Sequence, residues 1–168
     1  MKHIKTLLLA TALCIGTVSF TQAQSKVAHI NTQELIKAMP EMKTAQSELE
    51  ALGKTYKTDM QGSYTEFQNL QKEYEADAKN QTDAKNQERI LELQEKQQRL
   101  QQFQADAQKD MQEKEIALLE PITEKAKAAI LKVSRAQGFD YVLDSGTGIT
   151  ILTDGKDLLN DVKKELGI

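Results

Sequence analysis

The chain has 168 residues, of which 39% are apolar, 28% charged and only 5% aromatic, with no Trp and two Pro. That length suits one domain of ordinary size, but so few aromatics argue against a large compact core. Near-absence of Pro together with periodic apolar residues argues equally against disorder. A formal net charge of −3 suggests no surface for nucleic acid, and the lone Cys14 rules out a disulfide framework or a cysteine-based zinc site.

Residues 1–23 read as a cleavable signal peptide. Lys2, His3 and Lys5 form a positive start, Thr6 to Phe20 is largely apolar, and Thr21-Gln22-Ala23 supplies small residues at a cleavage site. The apolar stretch is too short for a membrane span, which needs about 20 residues. Cys14 lies in the middle of that stretch and is read as part of the leader. Cleavage after Ala23 leaves a soluble exported chain, Gln24 to Ile168, with 20 bases, 25 acids and a net charge of −5. His29 is then the only histidine, so a histidine-cluster metal site cannot be assembled, and no convergent partners for a Ser-His-Asp arrangement are visible. We therefore expect no metal, no cofactor and no enzyme activity.

Val27 to Ile30 reads as a strand, with His29 as a half-buried strand residue. Asn31 or Thr32 then caps a brief helix through Gln33 to Met39, ended by Pro40. From Glu41 to about Glu120 the strong helix formers Glu, Lys, Gln, Ala and Leu dominate. Met42, Ala45, Leu49, Leu52, Tyr56, Met60, Tyr64, Phe67, Leu70, Tyr74 and Ala78 recur in steps of three or four, which marks one helical stripe. A second stripe follows at Ile90, Leu93, Gln97, Leu100, Phe103, Ala107 and Met111. Between them Asn80 suits a helix end and Thr82 or Asp83 a new start, predicting a helical hairpin with its tip near 80–83. Ten of the 32 residues from Gln81 to Gln112 are Gln, and Gly53 and Gly62 interrupt the first helix, so the arm should be thinly packed and bendable. The pairs Glu92–Lys96, Glu95–Arg99 and Asp110–Lys114 are placed to support it at i,i+4.

Pro121 either opens a new helical segment or kinks a continuing one. Ile122, Ala126, Ala129, Ile130 and Val133 line a helix that stops at Gly138. Phe139 to Asp144 reads as a strand, Ser145 to Gly148 as a hairpin turn, and Ile149 to Leu152 as a second strand. The turn lacks the Lys-Ser/Thr of a phosphate loop. Asp154 is placed to cap a last helix through Leu158, Leu159, Val162 and Leu166, ending at Gly167. The expected organisation is thus mainly α with a small β body, residues 24–40 and 121–168, carrying a long coiled-coil arm, 41–120.

This order of elements resembles the Skp/OmpH family of periplasmic chaperones for outer-membrane proteins. The resemblance spans essentially the whole mature chain. It is carried by Lys26-Val-Ala-His-Ile-Asn31, Glu120-Pro121-Ile122, Ala136-Gln-Gly-Phe-Asp-Tyr-Val-Leu-Asp144 and Ile151-Leu-Thr-Asp154. It implies a homotrimer with three arms around a cavity. There an unfolded outer-membrane protein is held without ATP, in the periplasm, with no membrane span. Three short strands per chain leave free edges and too little core for a lone body, which favours the same assembly. Val27, Ile30, Val142, Leu143, Ile149 and Ile151 are the candidates for the shared core. Met60, Tyr64, Phe67, Tyr74 and Phe103 are those for contact with the unfolded client. Well-known members of the family are basic, whereas Glu41 to Glu115 holds 16 acids and 11 bases. Electrostatic capture of acidic clients and the lipopolysaccharide binding attributed to some members therefore do not carry over. An exported coiled-coil spacer or envelope adaptor that binds one folded partner is the alternative reading.

Overall fold

A sheet with its central strand at the start of the chain anchors everything that follows. In a computed structural model, which describes residues 25–150 and 154–168, β1 (Val27–Ile30) lies between β2 (Tyr141–Asp144) and β3 (Lys156–Asp157), both parallel to it. The register sets Val27 beside Tyr141 and His29 beside Leu143, with His29 also beside Asp157 on the other edge. The signal-peptide reading and the position of Ile151 fall outside the described residues.

β1 leads into α1 (Thr32–Ala38). Asn31 caps it: its side-chain oxygen accepts the Glu34 N–H at 2.9 Å. Pro40 sits in the first turn of α2 (Pro40–Asp77), where its missing N–H costs no helical hydrogen bond. After 38 residues α2 tightens into a 3-10 turn, Ala78–Asn80. Thr82 then caps α3 (Asp83–Ala136) by accepting the Lys85 N–H at 3.2 Å. The predicted tip is where the chain reverses. α3 runs for 54 residues straight through Pro121, so the proline opens no new segment, and a single helix serves both arm and body.

The region after β2 departs from the expected hairpin. β2 pairs with β1 rather than with the segment that follows it, and Ile149 and Thr150 lie in no strand. Gly146 N–H donates to Asp144 Oδ1 at 2.8 Å and the Thr150 hydroxyl to the Asp144 carbonyl at 2.7 Å, folding the turn back onto the strand end. The chain then reaches the far side of β1. There Gly155 lets β3 approach, since a Cβ at that position would stand 3.0 Å from the Val27 carbonyl oxygen. The last helix, α4 (Leu159–Leu166), starts later than expected. Asp157, not Asp154, accepts the Leu159 N–H at 2.9 Å, and Gly167 ends the helix at φ 73°.

The core sits where α1, the start of α2, the last third of α3 and α4 meet one face of the sheet. Ile30, Leu35, Met39, Leu158 and Val162 are its largest fully buried side chains, each stabilising by roughly 1.5–3 kcal/mol. Among the described residues no aromatic side chain is fully buried in it, in keeping with the composition.

Candidate functional site

The arm is the extended surface that the body presents, and its geometry decides which side chains a partner can touch. α2 and α3 run side by side, joined by a seam that is apolar only in part. Leu49, Leu52, Tyr56, Met60, Phe67, Leu70 and Tyr74 from α2, and Leu93, Leu100, Phe103, Ala107 and Met111 from α3, are all half-buried. The Phe103 ring stands edge-on to Tyr56, centroids 5.9 Å apart at 70°. Phe103 also borders two shallow grooves. One, of about 570 Å³, is lined by Tyr56, Met60 and Met111 beside Gly53; the other, of about 300 Å³, by Phe67, Leu100 and the Glu66–Lys96 pair.

Polar ties complete the seam. Tyr56 donates its hydroxyl to Asp110 Oδ2 and Tyr74 to Glu92 Oε2, both at 2.6 Å, and each carboxylate pushes its phenol above the usual range. Lys96 reaches Glu66 at 2.8 Å, holding that carboxyl below its ordinary value, and Lys114 lies 3.7 Å from Glu48. Near the body Lys125 bonds Glu41. Of the three expected i,i+4 pairs, only Glu95–Arg99 forms, at 4.0 Å. Glu92, Lys96, Asp110 and Lys114 turn across the seam instead, because partners from the facing helix are as near as those one turn away. Gln97, expected to face inward, is exposed; the half-buried position is Lys96. The stripe steps from Leu93 by three and then four rather than by four and then three.

The tip is closed by a tight cluster. Arg89 lies over the Tyr74 ring, 4.6 Å from its centroid, and donates to Asp77 at 3.0 Å. Asp77 also accepts from Asn80 at 3.1 Å and Gln81 at 2.7 Å; the Asn80 amide, the Arg89 guanidinium and the Gln81 amide hold its carboxyl below the usual range.

Among the five client-contact candidates, only Tyr64 is exposed; Met60, Phe67, Tyr74 and Phe103 belong to the seam. The arm bears other free apolar side chains. Ile90, Leu91 and Ile116 are 48%, 52% and 57% exposed, beside 49% for Tyr64. The spacing predicts Ile90 in the stripe, whereas the structure turns it to the surface. The signal was legible in the spacing, since Ile90, Leu91 and Leu93 cannot all face one narrow seam when successive residues turn by about 100°.

Of the six assembly candidates, the five within the described residues differ in where they face. Ile30 is enclosed in its own chain and Val142 packs against the same core. Val27 and Leu143 point to the other face of the sheet with Tyr141, at 41%, 44% and 60% exposure. Ile149, at 82%, projects from the turn. Among the described residues no group of three or more His, Cys, Asp or Glu side chains stands close enough to hold a metal ion, and no helix is long and apolar enough to cross a membrane.

Comparison with known proteins agrees with this architecture. A crystal structure described as a chaperone of the outer membrane, OmpH-like, from Caulobacter crescentus CB15 superposes with a TM-score of 0.75 over 87% of each chain, at 18% identity. At that identity the likeness establishes the fold. No curated protein matches the chain. The model of the family described as outer membrane protein (OmpH-like) matches residues 26–166. With sheet, arm and terminal helix all inside that span, the chain belongs to the OmpH-like family.

Proposed function

We propose that this protein is an ATP-independent holding chaperone of the periplasm, which keeps unfolded outer-membrane proteins from aggregating in a cavity between the arms of a homotrimer. Membership of the OmpH-like family and the fold shared with a protein described as an outer membrane chaperone support the chaperone reading. One observation carries it furthest: apolar side chains stand free along an otherwise polar arm. Ile90 and Ile116 lie roughly 40 Å apart along α3, at about 1.5 Å per residue. A stable folded partner needs about 1,200 Å² or more of continuous interface, and isolated side chains cannot supply it. A flexible chain can touch several such points at once, each weakly. The seam residues Met60, Phe67, Tyr74 and Phe103 then shape the arm, while Tyr64, Ile90, Leu91 and Ile116 meet the client.

Assembly follows from the sheet. All-parallel sheets are almost always covered on both faces, and here helices cover one. Other copies covering Val27, Tyr141 and Leu143 would complete the body and set the arms around a common space. The signal peptide delivers the chain to the compartment where its clients pass.

The test is light scattering as urea-denatured outer-membrane β-barrel proteins of unrelated sequence are diluted into buffer without nucleotide. A holding chaperone suppresses the scattering of each at near-stoichiometric trimer. A spacer that binds one folded partner suppresses none.

A further inference from the structure

We propose that Met60 and Met111 make the middle of the arm an oxidation-sensitive joint, where peroxide turns both thioethers into sulfoxides and loosens α2 from α3. The joint stands whatever the arm holds.

Beyond residue 23 the chain has no Cys, and it has no Trp at all, so its methionine sulfurs are the side-chain atoms that peroxide attacks first. With Met1 in the leader, four methionines remain. Met39 is fully buried in the body, and Met42 is half-buried against the same core. Met60 and Met111 instead reach one shallow groove of the arm from opposite helices, each only half-buried.

Gly53 is why the sulfurs matter at this point. α2 has no side chain there, and Met111 fills the gap: its Cε stands 3.8 Å from where a Cβ on Gly53 would lie. Such an irregular space suits a flexible thioether. Leu49, Tyr56, Phe103 and Ala107 form the rest of the apolar wall. That wall offers a sulfoxide nothing to bond. The Tyr56 hydroxyl already donates to Asp110 at 2.6 Å, and the backbone N–H groups of α2 are spent within the helix. The remaining donors, Lys57, Gln104, Gln108 and Gln112, are exposed on the rim. A sulfoxide oxygen is a strong acceptor, so it turns outward to them or to water and draws the side chain out of the gap at Gly53. The neighbouring ties across the seam, Tyr56 to Asp110 and Lys114 to Glu48, are exposed and hold weakly.

The step is a two-electron oxidation. A sulfur lone pair attacks one oxygen of hydrogen peroxide, the S–O bond forms as the O–O bond breaks, and the other oxygen leaves as water with both protons. Sulfide is oxidised to sulfoxide and peroxide is reduced. A methionine sulfoxide reductase reverses the change, taking two electrons from a dithiol that becomes a disulfide and releasing the oxygen as water.

The experiment treats the mature chain, Gln24–Ile168, with hydrogen peroxide, follows each methionine by peptide mass spectrometry and then measures amide hydrogen exchange. Met60 and Met111 should gain oxygen at least about fivefold faster than Met39. Exchange in the segments lining the groove, Leu49–Met60 and Phe103–Glu115, should quicken by about threefold or more, while β1 and α4 keep theirs. Met60→Leu with Met111→Leu conserves volume and should leave the arm's exchange unmoved by peroxide. Should that variant fail to form its arm by circular dichroism, the unaltered protein still decides, since reductase treatment must return its exchange to the starting rate. Met39 oxidised as fast as Met60 and Met111, oxidation with no faster exchange in the arm, a folded double variant that loosens like its parent, or loosening that the reductase leaves in place would each overturn the joint.

Discussion

One carboxylate at the end of β2 joins segments that are far apart in the chain. Asp144 Oδ2 accepts the Thr32 hydroxyl at 2.6 Å, and Oδ1 accepts the N–H of Gly146 at 2.8 Å and of Thr32 at 3.3 Å. Burial pushes this carboxyl up, but the hydroxyl and the two amides outweigh burial and leave it below the usual aspartate value. A depressed carboxyl stabilises the fold fully above its unfolded value, near pH 4, and loses that contribution as pH falls through the folded value. Asp144→Asn should therefore lower stability at pH 7 by about 1 kcal/mol, the scale of a partly solvated hydrogen-bond network. The gap between variant and parent in urea midpoint should shrink toward pH 3; a gap independent of pH would refute the charged role. Gly146→Ala should also destabilise, because its Cβ would stand 2.5 Å from Asn31 Oδ1, the atom that caps α1. Asn31 as a cap was legible, since caps are local. The junction at Asp144 was not legible, because its main partner, Thr32, lies 112 positions away.

The arm was legible as an element because helix formers and a period near 3.5 act locally, and a cap-rich break marks the reversal. What periodicity could not show was which polar side chains cross the seam, since that depends on how two helices are offset. Phe103 and the pair Ile90–Leu91 now have opposite roles. Phe103→Ser should cost the arm about 2–3 kcal/mol and lower its thermal midpoint by circular dichroism. Ile90→Gln with Leu91→Gln should change stability by less than about 0.5 kcal/mol while weakening client holding, because Gln keeps the helical propensity and removes only exposed apolar surface. Equal damage to helicity from both variants would place Ile90 and Leu91 in the seam after all. Gly62 offers the converse test. A Cβ there meets nothing within 4 Å, so Gly62→Ala should stiffen α2 and raise arm stability by about 0.5–1 kcal/mol, read from the same melting curves.

For the whole molecule, composition and element order were enough to foresee a small β body with a long helical arm. They were not enough for the sheet. Ile149 to Leu152 alternates in the manner of a hairpin strand, yet the third strand is the polar pair Lys156–Asp157, recruited by a crossover to the far edge of β1. A two-residue exposed strand carries no hydrophobic pattern to find. The same topology sorts the assembly candidates by face, which the sequence could not do. Leu143→Asp would set a charge on the uncovered face, leave the chain's own core untouched and dissociate the assembly, as native mass spectrometry would record. A Leu143→Asp protein that kept its oligomeric mass would show that copies meet elsewhere.

The central claim is that free apolar side chains on the arm hold unfolded chains, and site-specific photo-crosslinking tests it most directly. A benzophenone amino acid would replace Leu91 in one protein, Ile116 in a second and the body residue Ile168 in a third. Each would be irradiated with an outer-membrane protein kept unfolded, and again with the same protein already folded in detergent. We predict crosslinks from Leu91 and Ile116 to the unfolded form, little from Ile168, and none to the folded form. Crosslinking to the folded protein alone, or from the body rather than the arm, would contradict the account.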